Sequence, residues 1–128
     1  MARDKKLRFH LEEKALYKAL SFLKNGWGLA YTEIALMIQV PEQTLNRWFS
    51  KKKIHRDKSL TLDSRLSLFD LLRIHQNLYS MFSEKNNQLA WLKTPHSNFG
   101  KPPLEVMKER GGLNRVRCYL DAIRDRGA

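Results

Sequence analysis

The sequence predicts an all-α protein. It has an N-terminal helical bundle over residues 1–58 and a small helical domain over 59–128 that opens with a long apolar dimerisation helix. Three observations carry this. Apolar side chains recur at helical spacing, as in Leu16, Ala19, Leu20 and Leu23, or in Leu113, Val116, Leu120 and Ile123. Glycine and proline stand where helices stop and start, at Asn25-Gly26, Pro41, Pro103 and Gly111-Gly112. The 128 residues hold one average domain or two small ones, and the composition changes near residue 58.

Taken in order, residues 2–8 form a charged arm, expected to be solvated when free. The first firm helix spans 11–24, with Glu12, Lys14, Lys18 and Lys24 on its outer face and Asn25-Gly26 as its stop. Tyr17, Phe22 and Trp27 belong in or near the core. A stacking platform for single strands needs several aromatics on one open basic face.

Residues 29–53 read as two short helices around a tight turn. Ile34, Ala35 and Ile38 share one face of the first. Pro41 lacks an N–H, biases Val40 away from the helical region and suits the start of a second helix. That helix runs from about Glu42 to Ser50 or Lys51, with Leu45, Trp48 and Phe49 inward. Gln43, Asn46, Arg47 and Ser50 are then turned outward, flanked by Thr44 and Lys51. Gln and Asn suit adenine edges and Arg suits guanine. Lys51, Lys52 and Lys53 suit phosphates, and Thr32, just before the first helix, joins the set. These nine residues are the candidate DNA-binding set.

Residues 51–60 form a basic linker or the tail of that helix. Residues 61–84 are the longest helical pattern, with Thr61 or Asp63 as N-cap. Leu62, Leu66, Phe69, Leu72 or Arg73, and Gln76 trace one line along it. Leu68, Leu71, Ile74, Leu78, Tyr79, Met81 and Phe82 widen the apolar surface. A helix this apolar needs cover on more than one side, and a second copy of the chain is the expected cover. A short helix over 86–92 precedes a loop fixed by Pro95, Gly100, Pro102 and Pro103. Pro103 opens the next helix, Gly111-Gly112 closes it, and the last helix covers 113–124.

Charge bounds the partners. The chain carries 24 Lys and Arg against 13 Asp and Glu, a net +11. Residues 1–60 hold 13 basic and 6 acidic side chains, and residues 61–128 hold 11 and 7, so the excess leans to the half with the two short helices. A polyanion partner favours that distribution. Cys118 is the lone cysteine, which excludes an intrachain disulfide or a cysteine metal cluster; a small packing role is expected for it. His10, His55, His75 and His96 lack ligand spacing, so no metal or cofactor is expected. Cys118 with His75 or His96 makes no convincing nucleophile, base and orienter set, so the chain is not expected to be an enzyme. The start of the chain is not a signal peptide and no apolar run approaches a membrane span, so a cytoplasmic protein is expected.

Residues 29–53, with Ala35, Ile38, Val40, Leu45 and Trp48 at their positions, resemble the helix-turn-helix of bacterial and phage repressors. That family often has glycine in the turn, where this chain has Gln39. Further on, Trp91-Leu92, Pro95, Asn98-Phe99-Gly100, Pro103-Leu104-Glu105-Val106, Gly112, Val116, Leu120 and Gly127 form a string similar to the toxin-binding domain of Xre/MbcA/ParS antitoxins. The resemblance covers residues 62–127. It departs at Phe99-Gly100-Lys101-Pro102, where members often show two glycines, and at the doubled Gly111-Gly112. It implies an antitoxin of a type II toxin–antitoxin system. Such a protein binds a RES-domain toxin that consumes NAD, forms a homodimer and acts as transcription repressor of its own operon. It also implies that the C-terminal end enters the toxin, which maps the toxin-binding set to Trp91, Arg117, Asp121, Arg124, Asp125, Arg126, Gly127 and Ala128. The alternative is a stand-alone dimeric helix-turn-helix repressor without a toxin partner.

Overall fold

The computed structural model describes residues 2–54 and 60–127, with side chains described over 14–54 and 60–126. His55, the middle of the 51–60 linker, the division between 58 and 59, and Ala128 lie outside the described residues, as does the side chain of His10. Among the described residues there are seven helices and no strand, as the helical spacing predicts. They are α1 (Ala2–Trp27), α2 (Tyr31–Ile38), α3 (Glu42–Lys51), α4 (Leu62–Met81), α5 (Lys85–Lys93), α6 (Pro103–Met107) and α7 (Gly112–Gly127).

Local chemistry sets the boundaries. Residues expected to form a separate arm are continuous with α1, which also runs past Asn25-Gly26 to Trp27. The stop falls at Gly28, whose φ of 68° reverses the chain where a side chain would be strained. Gln39 takes the same left-handed conformation after α2, at φ 58° and ψ 47°. Pro41 is the N-cap of α3, in extended backbone. The N-cap of α4 is Thr61, whose hydroxyl accepts from the Ser64 N–H at 3.1 Å. Pro103 stands at the first turn of α6, where its missing N–H costs nothing.

The two halves share one core. Leu20 and Leu23 of α1, Ile34 and Ile38 of α2, and Leu68, Leu71 and Ile74 of α4 are fully buried in it. A side chain of that kind contributes about 1.5–3 kcal/mol on burial. Polar contacts join the halves. Trp27 Nε1 donates to Gln88 Oε1 at 3.0 Å, and Gln88 Nε2 donates to the Phe82 carbonyl at 2.9 Å. Ser64 Oγ donates to the Gln39 carbonyl at 2.8 Å, satisfying an acceptor that the left-handed turn leaves open. Lys108 Nζ lies 2.9 Å from Glu33 Oε2. Beyond α4, helix α7 packs along α4 and α6 through Leu113, Val116 and Leu120.

Phe22 and Cys118 depart from expectation. Phe22 is exposed rather than near-core, its ring 4.6 Å from that of His75. Cys118 is exposed rather than a packing residue, on the outer face of α7. Among the described residues no helix is long and apolar enough to cross a membrane.

Candidate functional site

Helices α2 and α3 meet across a turn of three residues, Gln39, Val40 and Pro41. The crossing is closed by buried Ala35, Ile38, Val40, Leu45 and Trp48. A small side chain at Ala35 lets the helices approach, and Val40 fills the corner. Phe49 is half-buried, edge-on to Tyr17 at 5.8 Å and to Tyr31 at 5.2 Å. With that seam fixed, helical geometry leaves Gln43, Asn46, Arg47, Ser50 and Lys51 exposed on the far side of α3. Thr32 is exposed in the first turn of α2, and Lys52 is exposed at the left-handed end of α3. Lys53 is half-buried. Thr44 is not on this surface: at 6 % exposure it packs inward beside Leu45. The sequence places it at the margin of the outward arc, and a margin residue follows whatever packs beside it.

Glu33 anchors the base of this unit. Its Oε1 accepts the Ala30 N–H at 3.0 Å, closing an open donor at the start of α2. That backbone bond, and then Lys108, hold the Glu33 carboxyl below the usual carboxylate range.

In the second half, α7 is clamped to α4 by charged groups. Arg117 Nε donates to Asp70 Oδ1 at 2.6 Å and its Nη1 to Asp121 Oδ2 at 3.0 Å. Asp121 Oδ1 accepts from Arg73 Nε at 3.0 Å and from Asn77 Nδ2 at 2.8 Å. Burial pushes the Asp121 carboxyl up, but the bonds from Asn77 and Arg73 outweigh it, and the net value is lowered. Burial likewise opposes the charge on Arg117, and the Asp70 bond overcomes it. Arg117 and Asp121, mapped to a partner-facing set, are therefore engaged within the chain. The sequence gives no sign of this, because Asp70 and Arg73 are about 50 residues away in a different helix.

Around the loop after α5, Trp91, His96, Phe99 and Tyr119 form an aromatic cluster. The rings of His96 and Tyr119 are 5.0 Å apart, those of Phe99 and Tyr119 5.3 Å, and those of Trp91 and His96 5.8 Å. The Asn98 N–H donates to His96 Nδ1 at 3.2 Å, so in the neutral ring Nε2 carries the proton and donates to the Tyr119 hydroxyl at 3.1 Å. Trp91 is thus a half-buried member of this cluster. The end of α7 is more open: Arg124 is half-buried, and Asp125 and Arg126 are exposed. Gly127 is the last residue of α7, and Ala128 lies outside the described residues. Among the described residues no group of three or more His, Cys, Asp or Glu side chains is placed to hold a metal ion.

The architecture defines a class: a small all-α protein that joins a tight two-helix unit with a polar, basic outer face to a helical module closed by α6 and α7. The module has a known counterpart. Residues 77–126 match the family model of the antitoxin Xre/MbcA/ParS C-terminal toxin-binding domain, so this part of the chain is similar to that domain. The match begins inside α4 and ends just short of the end of α7. No curated protein matches the chain.

Proposed function

We propose that this chain is the antitoxin of a type II toxin–antitoxin pair. In this reading it silences a RES-domain, NAD-consuming toxin through its C-terminal half and, as a cytoplasmic homodimer, represses its own operon through its N-terminal half. The family match over 77–126 supports a toxin as the partner of the C-terminal half. The DNA-binding part is supported by the outward set of Gln43, Asn46, Arg47 and Ser50, with Thr32, Lys51, Lys52 and Lys53 around it, on a chain of net charge +11. The exposed end of α7 suits a cleft. Arg124 and Arg126 offer guanidinium groups to a carboxylate or to a site that takes substrate phosphate, with Asp125 exposed between them; Gly127 and Ala128 complete the proposed set in sequence. In this reading Trp91, Arg117 and Asp121 support the tip by fixing the loop and α7 against α4.

Co-expression with the adjacent gene product, followed by sizing of the complex, tests the pairing. Two variants separate the activities. Arg47→Ala weakens operator binding by about 1–3 kcal/mol and relaxes base preference while neutralisation survives. Equal loss on every duplex means that Arg47 touches only phosphate. Deleting residues 124–128 abolishes neutralisation and spares DNA binding; retained neutralisation refutes an inserted tip.

A further inference from the structure

Lysines from three helices converge on the corner where α2 begins. Lys24 of α1 holds its ammonium 4.5 Å over the ring of Tyr31, and Tyr31 meets Phe49 of α3 edge-on at 5.2 Å. Lys108 of α6 pairs with Glu33 Oε2 at 2.9 Å and with Glu105 Oε1 at 3.4 Å. Lys93, the last residue of α5, is exposed. Its helix is pinned to α1 by Gln88, which accepts from Trp27 Nε1 at 3.0 Å, and to the shared core by fully buried Leu92. The Glu33 carboxyl, held down chiefly by the Ala30 N–H and by Lys108, also feels the charge of Lys93. Glu33 is thus compensated within the chain, whereas Lys24 and Lys93 form no ion pair among the described residues.

We propose that Lys24 and Lys93 hold the phosphate strand that passes the start of α2, so that the DNA footprint runs beyond the two-helix unit onto α5 of the second half. The proposal rests on the DNA-binding reading and adds to it a contact from outside the set already named. A unit that lays its second helix in the major groove carries its first helix across the backbone. Exposed Thr32, in the first turn of α2, then marks where the phosphates run. The carboxylate next to it, Glu33, repels that strand unless its charge is met, and Lys108 meets it. Lys24 and Lys93 are left as net positive charge on either side, one from each half of the chain. An ammonium on a flexible stem is a point charge, so these residues anchor the complex and read no base. The core shared by α1, α2 and α5 presents the surface as one piece.

The test titrates the full chain onto two labelled duplexes, one carrying the region upstream of its own gene and one of unrelated sequence, between about 50 and 200 mM salt. Each phosphate neutralised on B-DNA adds about 0.9 to the slope of log affinity against log salt. Lys93→Gln therefore flattens the slope by about 0.9 and weakens binding about fivefold near ~0.15 M salt, equally on both duplexes. Adding Lys24→Gln to it flattens the slope by about 1.8, whereas adding Lys24→Arg, which keeps the charge, leaves the slope of the single variant. Lys85→Gln is the control: it removes the same charge about 12 Å back along α5 and leaves the slope unchanged. Lys93 is exposed, so its variant keeps the parent's thermal melt. An unchanged slope in Lys93→Gln overturns the inference, as does an equal fall in Lys85→Gln, which means that net charge alone is felt. If Lys93→Gln keeps the slope but fails to neutralise the adjacent gene product, the inference is also overturned and Lys93 is a toxin contact. A parent that binds neither duplex refutes the DNA-binding reading and this contact with it. A parent whose binding falls with Arg47→Ala but not with Lys93→Gln refutes the contact alone.

Discussion

Replacing Gly112 with alanine strikes the junction that aims α7. A Cβ built there lies 1.5 Å from the Val106 carbonyl oxygen and 2.6 Å from its carbon. Ordinary contact begins at 3.4 Å, so about 2 Å of separation must be found, and the obstacle is backbone rather than a side chain that can swing away. Moving α7 off α6 by that much loosens Leu113, Val116 and Leu120 from Leu104, Val106 and Met107 together. The expected cost is about 3–5 kcal/mol, at the large end for one substitution. Gly111 is the control. Its φ is +74° but a Cβ there meets nothing within 4 Å, so Gly111→Ala pays only left-handed strain, about 1–2 kcal/mol. Urea unfolding of both variants measures the difference, read from midpoints at constant slope. If Gly112→Ala costs no more than Gly111→Ala, the close approach of α7 to α6 is not what fixes the junction.

Two further perturbations follow from single side chains. Gln39→Gly raises stability by about 0.5–1 kcal/mol, since glycine takes φ 58° without strain and the Gln39 side chain gives up only a long 3.4 Å bond to Ser67; a lower urea midpoint refutes this. His75 is held neutral by burial, its value pushed below the ordinary imidazole range, and its Nε2 has no hydrogen-bond partner. The folded state therefore binds fewer protons there than the unfolded chain. Stability is full above the ordinary imidazole value and falls as pH drops through it toward the lowered folded value. His75→Phe, filling the same space between Phe22 and Trp27, leaves stability at pH 8 within about 1.5 kcal/mol and removes that slope. A thermal-melt series from pH 8 to pH 5 with unchanged slope counts against it.

Most of the helices were legible because their periodicity and their punctuation agree. Pro41 and Pro103 mark starts, Thr61 caps α4, and the inward stripes of α2, α3 and α7 are the buried ones. Errors fell where a local signal competed with packing. Asn25-Gly26 is a good stop, but Trp27 has a partner in Gln88, so the helix continues past it to bury Trp27. Cys118 sits in an apolar pattern yet falls on the outer face of α7, because Val116 and Leu120 take the core side. The outward face of α3 could be read from spacing alone, apart from Thr44 at its margin. The clamp of Arg117 on Asp70 and Asp121 could not. It is made by residues distant in sequence, and nothing in a charged side chain's own neighbourhood tells a solvated surface group from one half of a bridge.

Trp27 reaching into Gln88, and Lys108 reaching back to Glu33, have a bearing on how this chain is lost. A nick or a local melting that frees α1 strips cover from the start of α5, and one that frees α6 removes a tie from the start of α2. On the proposed reading, degradation then releases promoter and poison in a single stroke, with no half-life during which one half of the molecule outlives the other.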